Sequence, residues 1–391
     1  MTAHIVSHLF PHAGDPVKGV FVLDKAKALA RRCPVRVLAP IPYVPFLKPA
    51  PRSPPDVVLD GIPVSHPRYL TLPSPLFAWR WAPYAAVAAA HFRRHPISPA
   101  DTIFMEWVYP DAFATYKILP APRPLTLITL HGNDAIGWSG APARRTYYQQ
   151  AMGQADGIVA VSRELRDRVI QQDRIDPARV IVIPNGLDET VFTPRPRLEA
   201  RARLKVPPCG RILLAVARLS AEKRLGQLVD AFAQLRLPDA TLYIIGDGPL
   251  KAVLAQQIRR NSLEGIVRCV GAVPHADIPL WLSAADLLCL PSATEGSPVV
   301  IHEALACGLP VVATQVGGIP DLIRAGQDGL LCPPDDPAAL AEALRTALAL
   351  TWNCDAIVAQ GRRWTWTRVA DQLLAFARDM DGYKKKRGGQ G

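Results

Sequence analysis

Twelve short apolar runs recur along this chain, with helix-forming stretches between them. In the first half they are HIVSHLF (4–10), VRVLAP (35–40), TIFMEW (102–107), PLTLITLHG (124–132), GIVAVS (157–162) and VIVIPNG (180–186). In the second they are RILLAVARL (211–219), ATLYIIGDG (240–248), IVRCVGAV (266–273), DLLCLPS (286–292), PVVATQVG (310–317) and GLLCPP (329–334). These runs do not alternate apolar with polar residues, so each strand is expected to be buried on both faces. Parallel sheets covered by helices have that property. The expected fold is therefore α/β, with two doubly wound, Rossmann-like domains facing across a cleft and ligands at the carboxyl ends of the strands.

The chain has 391 residues, enough for two or three domains at about 150 residues each. FTPRPRLEARARLKVPPCG (192–210), rich in Pro and charge, reads as a linker. Domains are accordingly expected at 1–195 and 196–364. Residues 365–391 would form a last helix packed back on the first domain, followed by a basic tail. Thr365 is a plausible N-cap for that helix, and Val369, Leu373, Leu374, Phe376 and Ala377 make its apolar stripe. Residues 41–67 hold many prolines and no clear period, and read as a loop. The aromatic and basic segment 75–95 reads as a core-packed helix with a basic end, the alternative being an amphipathic helix on a membrane surface.

No run of about 18 apolar residues marks a membrane span, and the N-terminus reads as a first strand and not as a signal peptide. The expected location is the cytoplasm, with peripheral contact at the inner face of a membrane a further option. The seven cysteines have no metal-site spacing, and Cys269, Cys289 and Cys332 read as buried free thiols. The net charge of +11 is uneven: +7 over residues 1–200, zero over 201–383 and +4 in the tail KKKRGGQG. A basic first half could meet nucleic acid, an anionic membrane surface or a phosphorylated substrate, and reads equally as an ordinary surface of high pI. Of these partners, nucleic acid is not among those expected.

Three constellations carry chemistry. The first is TEGSPVVIHEALACGLPVVAT (294–314), where an otherwise apolar helix holds Glu303, eight positions after Glu295. Pro298 suits a first helical position, leaving the amides of Val299, Val300 and Ile301 to face an anion. Glu303 lies about 7.5 Å further along the axis and leans back toward the helix start. A buried carboxylate needs donors, and the vicinal diol of a ribose supplies two. Glu295 precedes the helix, in reach of sugar hydroxyls. Either glutamate alone reads equally as a charge favoured by the helix dipole.

The second constellation is ARLSAEKRL (217–225), which places Arg218 and Lys223 at a strand's carboxyl end. Two fixed cations can neutralise a departing diphosphate. No Asp-x-Asp ends a strand, so no metal site is expected and the cations would take a divalent metal's place. The third is LHGNDA (130–135), which brings His131 and Asp134 to the end of a first-half strand. GDGP (246–249) also ends a strand, but without the glycine spacing of a dinucleotide fingerprint.

Glu295 and Glu303, the Arg218/Lys223 pair, VIPNGLDETVFTP (182–194), GDGP, VRCVGAVP (267–274) and HGND together resemble the GT-B glycosyltransferases of family GT4. The resemblance implies transfer of a sugar from a nucleotide-diphosphate-sugar (a UDP-sugar or GDP-sugar) to a glycan or lipid-linked acceptor, with retention and without a metal or other cofactor. It implies that Arg218 and Lys223 hold the diphosphate and that Glu303 binds the ribose. Glu295, with the amides of Gly296, Ser297, Val299 and Val300, would bind the sugar, and His131 would line the sugar or acceptor side. Gly271 to Val273 would read the base, with Gly246 and Gly248 shaping its pocket. Domain closure over the donor is likewise implied. The N-terminal HLFPHAGDPVKGVFV (8–22) is similar to members that build cell-surface polysaccharides, including teichuronic-acid-type enzymes. Where many members have two glycines, this chain has Lys18-Gly19, and Gly19 is expected to approach the phosphates. Ser297 stands where a bulkier apolar residue is frequent.

Other assignments use the same fold. A nucleotide-sugar epimerase would release nucleotide without an acceptor. A phosphorylase would need a pyridoxal lysine, which no residue here marks. A non-catalytic nucleotide-sugar or carbohydrate-binding protein would bind without turnover.

Overall fold

A computed structural model describes residues 1–44, 53–71, 79–132 and 142–388. The chain forms two compact units. One is Met1–Gly186 with the segment from Trp366 onward; the other is Leu187–Thr365. The junction thus falls at Gly186 and Leu187, nine residues before the expected boundary.

The first unit is built on ten strands: β1 (Ala3–Val6), β2 (Val35–Leu38), β3 (Ile41–Tyr43), β4 (Asp56–Leu59), β5 (Ile62–Ser65), β6 (Arg68–Leu70), β7 (Thr102–Met105), β8 (Leu125–Leu130), β9 (Gly157–Ala160) and β10 (Val180–Val182). Eight of them form one sheet in the order β10-β9-β8-β7-β1-β2-β5-β4, and β3 pairs with β6 apart from it. Every pair in the large sheet is parallel except β4 with β5. From β1 the chain builds outward through β2. It then returns to lay β7 on the other side of β1 and builds outward again. The reversal lies between β1 and β7.

The second unit has β11 (Arg211–Val216), β12 (Ala240–Ile245), β13 (Val267–Gly271), β14 (Leu287–Leu290), β15 (Val311–Thr314) and β16 (Gly329–Cys332). Their order is β13-β12-β11-β14-β15-β16, all parallel, with the reversal between β11 and β14. β14 and β15 are buried throughout, as continuous apolar sequence requires. Cys269 departs from the expectation. It is exposed, because β13 is an edge strand covered on one side only.

Two stretches differ from their sequence reading. Within residues 41–67, read as a loop, the described residues carry β3, β4 and β5 instead. Val57 to Val64 is a hairpin closed by Asp60-Gly61, both at positive φ (49° and 81°), the backbone that a two-residue turn between twisted strands needs. The prolines masked this signal, and Pro63 is tolerated because it lies outside the β2–β5 ladder, which starts at Val64, so its missing N–H removes no bond to β2. Residues 197–204 are not a linker but a helix, Arg197–Leu204, packed on the helix Ile278–Ala284. Buried Arg201 ties it down, donating to the carbonyl oxygens of Ala284, Pro208 and Gly210 and to Asp286. A charge run that looked solvated therefore holds a buried hub.

The helix Trp81–Arg94 packs into the core through Tyr84, Ala85 and Ala88. The C-terminal helix, Trp366–Gly388, closes one face of the first unit's sheet. Trp366, Val369, Leu373, Phe376, Ala377 and Met380 share a core with Ile5, Val37, Phe104 and Leu127. Gly157 lets the helix approach: a Cβ there would collide with Phe376, Met380 and Leu127. The segment Trp366–Gly388 is thus a structural part of the first unit. Phe376→Ala should remove a buried ring at this seam and destabilise the first unit by about 3–5 kcal/mol. Urea unfolding should show the loss in the transition of that unit and leave the second unit's midpoint in place.

Candidate active site

In the second unit, the loops after β11, β12, β14 and β15 meet at the carboxyl ends of the strands. After β11 the backbone turns through Arg218 into a short 3-10 helix, Ala221–Lys223. The turn after β12 is laced onto it: Leu219 N–H donates to the Asp247 carbonyl, and Leu250 N–H to that of Leu219. Gly246, at φ 137°, packs so closely on the Ala217 carbonyl that no side chain would fit. Gly248 similarly abuts the Leu219 backbone. The GDGP glycines therefore set the shape of the β11 loop. Gly271, at φ 87°, accepts from the Gly246 N–H at 2.9 Å, and Val273 is partly buried just beyond it.

The loop after β14 joins the same cluster. Ala293 N–H donates to the Glu222 carbonyl at 2.8 Å. Lys223 Nζ reaches Glu295 Oε1 at 2.6 Å, and the Ser292 hydroxyl donates to the same oxygen at 2.6 Å. Gly317, after β15, lies so close to the Glu295 carbonyl that a Cβ would overlap it. Two strand ends on either side of the reversal thus present a fixed ammonium and a fixed carboxylate in contact. Arg218 is exposed beside them, with no ion pair among the described residues. The Ser220 hydroxyl, donating at 2.6 Å, holds the Glu222 carboxyl below its usual range, with Lys223 and Arg218 adding to the effect against burial.

Helix Val299–Ala306 follows. Pro298 is not its first residue but its N-cap, at ψ 111°. The Ile301 amide donates to the Pro298 carbonyl at 3.0 Å, so Val299 and Val300 are the residues whose amides remain at the tip. Gly296 is half-buried and Ser297 buried. Glu303 is buried on this helix, and its Oε1 faces His275 Nε2 at 2.8 Å. His275 is itself packed against Phe192. Ser297 lies 3.3 Å from Nε2 of His302, whose burial lowers its pKa to about 3 and keeps the ring neutral.

Gly19 and His131 belong to the first unit and are built differently. Gly19, at φ 65°, caps the helix Val20–Ala30, and it is pressed on the Leu9 carbonyl where a Cβ would stand. Its smallness is thus already required by the backbone. His131 follows β8, with its Nε2 at 3.1 Å from Glu106 Oε2. Glu106 is fully buried, and Lys25 Nζ binds its two oxygens at 2.7 and 3.0 Å while also reaching Thr129 at 3.0 Å. Burial would push the Glu106 carboxyl up; the Lys25 ammonium and His131 outweigh it and hold the value at about 2. The rings of Phe21 and Trp107 pack on His131. Asp134 lies outside the described residues.

The structure thus brings Lys223, Glu295, Gly246 and Gly248 together, with Arg218 on the same loop. Lys25, Glu106, Ser292, Gly317 and His275 were not anticipated. Glu106 could have been noticed as an acid directly after an apolar strand. Lys25, inside a helix and 81 residues away from it, gave no local signal.

Two doubly wound α/β units, each with a strand-order reversal, and a cation–carboxylate contact at the reversal of the second are the architecture expected of a GT-B glycosyltransferase. The comparisons agree. Residues 210–349 match the family model described as Glycosyl transferases group 1, and residues 19–191 match Glycosyltransferase Family 4. TuaC of Bacillus subtilis strain 168, named as a teichuronic acid biosynthesis glycosyltransferase, is 30% identical over 355 residues, covering 87% of each chain. The GDP-mannose-dependent alpha-(1-6)-phosphatidylinositol monomannoside mannosyltransferase of Mycolicibacterium smegmatis is 28% identical over 77% of this chain and 78% of its own. Among solved structures, sucrose-phosphate synthase from Thermosynechococcus elongatus superimposes with a TM-score of 0.80, at 22% identity over 98% of this chain and 100% of that one. Anabaena HepE in complex with UDP gives 0.73, at 23% identity over 96% and 99%. The chain belongs to glycosyltransferase family 4 and is a glycosyltransferase.

Two outcomes follow from the buried charges. Lys25→Met should strand the Glu106 carboxylate and cost about 3–5 kcal/mol, read as a lowered urea midpoint for the first unit. For His302, the unfolded chain takes up a proton as pH falls through 6.5, whereas the folded ring resists protonation down to about 3. Stability of the second unit should therefore decline between these values, and His302→Gln should flatten that decline in thermal unfolding followed against pH.

Proposed function

We propose that the second unit binds a nucleotide-diphosphate-sugar and that the enzyme transfers the sugar, with retention and without a metal, to a glycan or lipid-linked acceptor. The observation that carries this is the Lys223–Glu295 contact at the strand-order reversal. In the donor complex, the diphosphate draws Lys223 away from Glu295 and takes Arg218 as its second cation. Glu295 is then released to accept hydrogen bonds from the sugar, alongside the amides of Gly296, Ser297, Val299 and Val300. Glu303 takes the ribose diol, which competes with His275 for its carboxylate. Gly271 and Val273 border the base. On the first unit, His131 serves the sugar or acceptor, with its ring held by Glu106.

The phosphate that leaves collects negative charge, and two cations already in place stabilise it without reorganising. That phosphate also accepts the acceptor's proton. The HepE complex with UDP supports a uridine donor, and the M. smegmatis relative a guanosine one. TuaC supports surface polysaccharide synthesis as the setting. Among the described residues no helix is long and apolar enough to cross a membrane. Contact with an anionic membrane surface, on the cytoplasmic side, rests on the basic first half. Of the tail, Lys384 is already held by Asp156 and two backbone carbonyls.

Calorimetry with UDP and GDP tests the reading. Arg218→Ala and Lys223→Ala should each weaken binding of the preferred nucleotide by about tenfold to a hundredfold, the range expected for a lost hydrogen bond to a charged group. Glu295→Ala should bind it nearly as well and transfer no sugar. Full transfer by these variants would reject the assignment.

A further inference from the structure

The first unit holds a cavity of about 480 Å³, lined by β2, the β4–β5 hairpin and the end of the helix Trp81–Arg94. Its size falls among small-molecule pockets, about 300–1,000 Å³. Arg36 is the second residue of β2, and His95 opens the connection that leads to the start of β7. Both therefore stand toward the amino ends of the strands, whereas His131 follows the carboxyl end of β8.

Arg36 is a half-buried cation without a counter-ion. Among the described residues no carboxylate pairs with it, and its one hydrogen bond runs from Nη1 to His95 Nδ1, at 3.4 Å. A guanidinium has only donors, so Nδ1 accepts and the His95 proton sits on Nε2. The side chains of Val57, Val58 and Val64 line the same space and supply no acceptor. The other guanidinium, Arg94, meets Asp56 at 3.3 Å, an exposed pair that water screens. The Ser65 hydroxyl also donates to Asp56, at 2.6 Å, and holds its carboxyl below the usual range. Arg94 and Asp56 cancel, so the charge of Arg36 remains. Next to His95, His91 is buried, with ring centroids 4.9 Å apart. Burial, and after it the charges of His95, Arg94 and His4, lower the His91 pKa to about 4. This helix end resists further positive charge, and an anion relieves it.

We propose that this cavity binds a phosphate monoester, at a site separate from the donor and acceptor residues. The Arg36 fork takes two phosphate oxygens, His95 Nε2–H is a donor for the third, and the apolar wall receives the organic part of the ester. A carboxylate offers fewer oxygens and less charge to the same donors. Asp56 repels a second phosphate, so a monophosphate fits where a nucleoside diphosphate does not. The ester is either free in solution or the headgroup of an anionic lipid, and its chemistry at Arg36 is the same in both.

The test uses the full chain. Glycerol 3-phosphate is titrated calorimetrically with UDP and GDP in excess, acetate is titrated in parallel, and phosphatidic acid vesicles are tested by flotation. The expected result is phosphate binding that neither nucleotide displaces and that Arg36→Met weakens about tenfold or more. The same variant should bind nucleotide as the parent does. Without ligand it should melt no lower than the parent, because it loses no counter-ion, and glycerol 3-phosphate should raise the melting temperature of the parent alone. If Arg36→Met does not fold, Arg94→Gln at the exposed rim decides, and should weaken phosphate binding severalfold. Binding in solution assigns the ester to a free metabolite. Binding confined to vesicles, and lost in the same variants, assigns it to a lipid. The proposal is overturned by no phosphate binding in either form, by binding that the variants leave unchanged, by displacement with UDP or GDP, or by tighter binding of acetate.

Discussion

Each unit depends on one topological constraint. A parallel sheet that grows outward from its first strand, then returns and grows the other way, leaves two neighbouring strand ends that no crossover helix spans. In the second unit these ends belong to β11 and β14, and they deliver Lys223 and Glu295. In the first they belong to β1 and β7, and they bring His8 beside Trp107. The paired residues are far apart in sequence because the fold, not the local chain, makes them neighbours.

Around these points the structure keeps carboxylates buried by giving each a donor. Glu106 has Lys25 and His131, Asp111 has His8 and Tyr84, Glu295 has Lys223 and Ser292, and Glu303 has His275. An unpaired buried carboxylate would cost several kcal/mol, so each donor is a structural need before it is a functional one. The pairs nevertheless differ. Glu106 is sealed, with its ammonium inside the core. Lys223 is partly exposed, at 21%, and in the proposed donor complex a phosphate takes the place of its carboxylate partner. Sealed pairs position neighbours; open pairs exchange partners.

Much of this was legible in the sequence. All twelve apolar runs became strands, because burial on both faces writes itself directly into composition. The Glu295–Glu303 spacing and the Arg218/Lys223 loop were visible because strand ends and a helix start are local signals. What stayed hidden was of two kinds. The β4–β5 hairpin was obscured by prolines, although Asp60-Gly61 marked its turn. Arg201 looked like one charge in a polar run, and only the fold shows it bonded to three carbonyls. The pairings behind His131 and His8 could not be read. Lys25 to Glu106 and His8 to Asp111 span 81 and 103 residues, and nothing in either neighbourhood names the other.

The C-terminal helix has a consequence for the order of events during synthesis. Its apolar stripe completes the core that holds Ile5, Val37 and Phe104, yet it is the last segment described. The second unit, Leu187–Thr365, is continuous and has everything it needs once residue 365 has emerged. The first unit starts earlier and ends later. Its opening strands must wait, with one sheet face uncovered, while the whole of the second unit is made. A nascent chain of this topology therefore exposes its N-terminal half to chaperones longest, and the domain translated first is the one finished last.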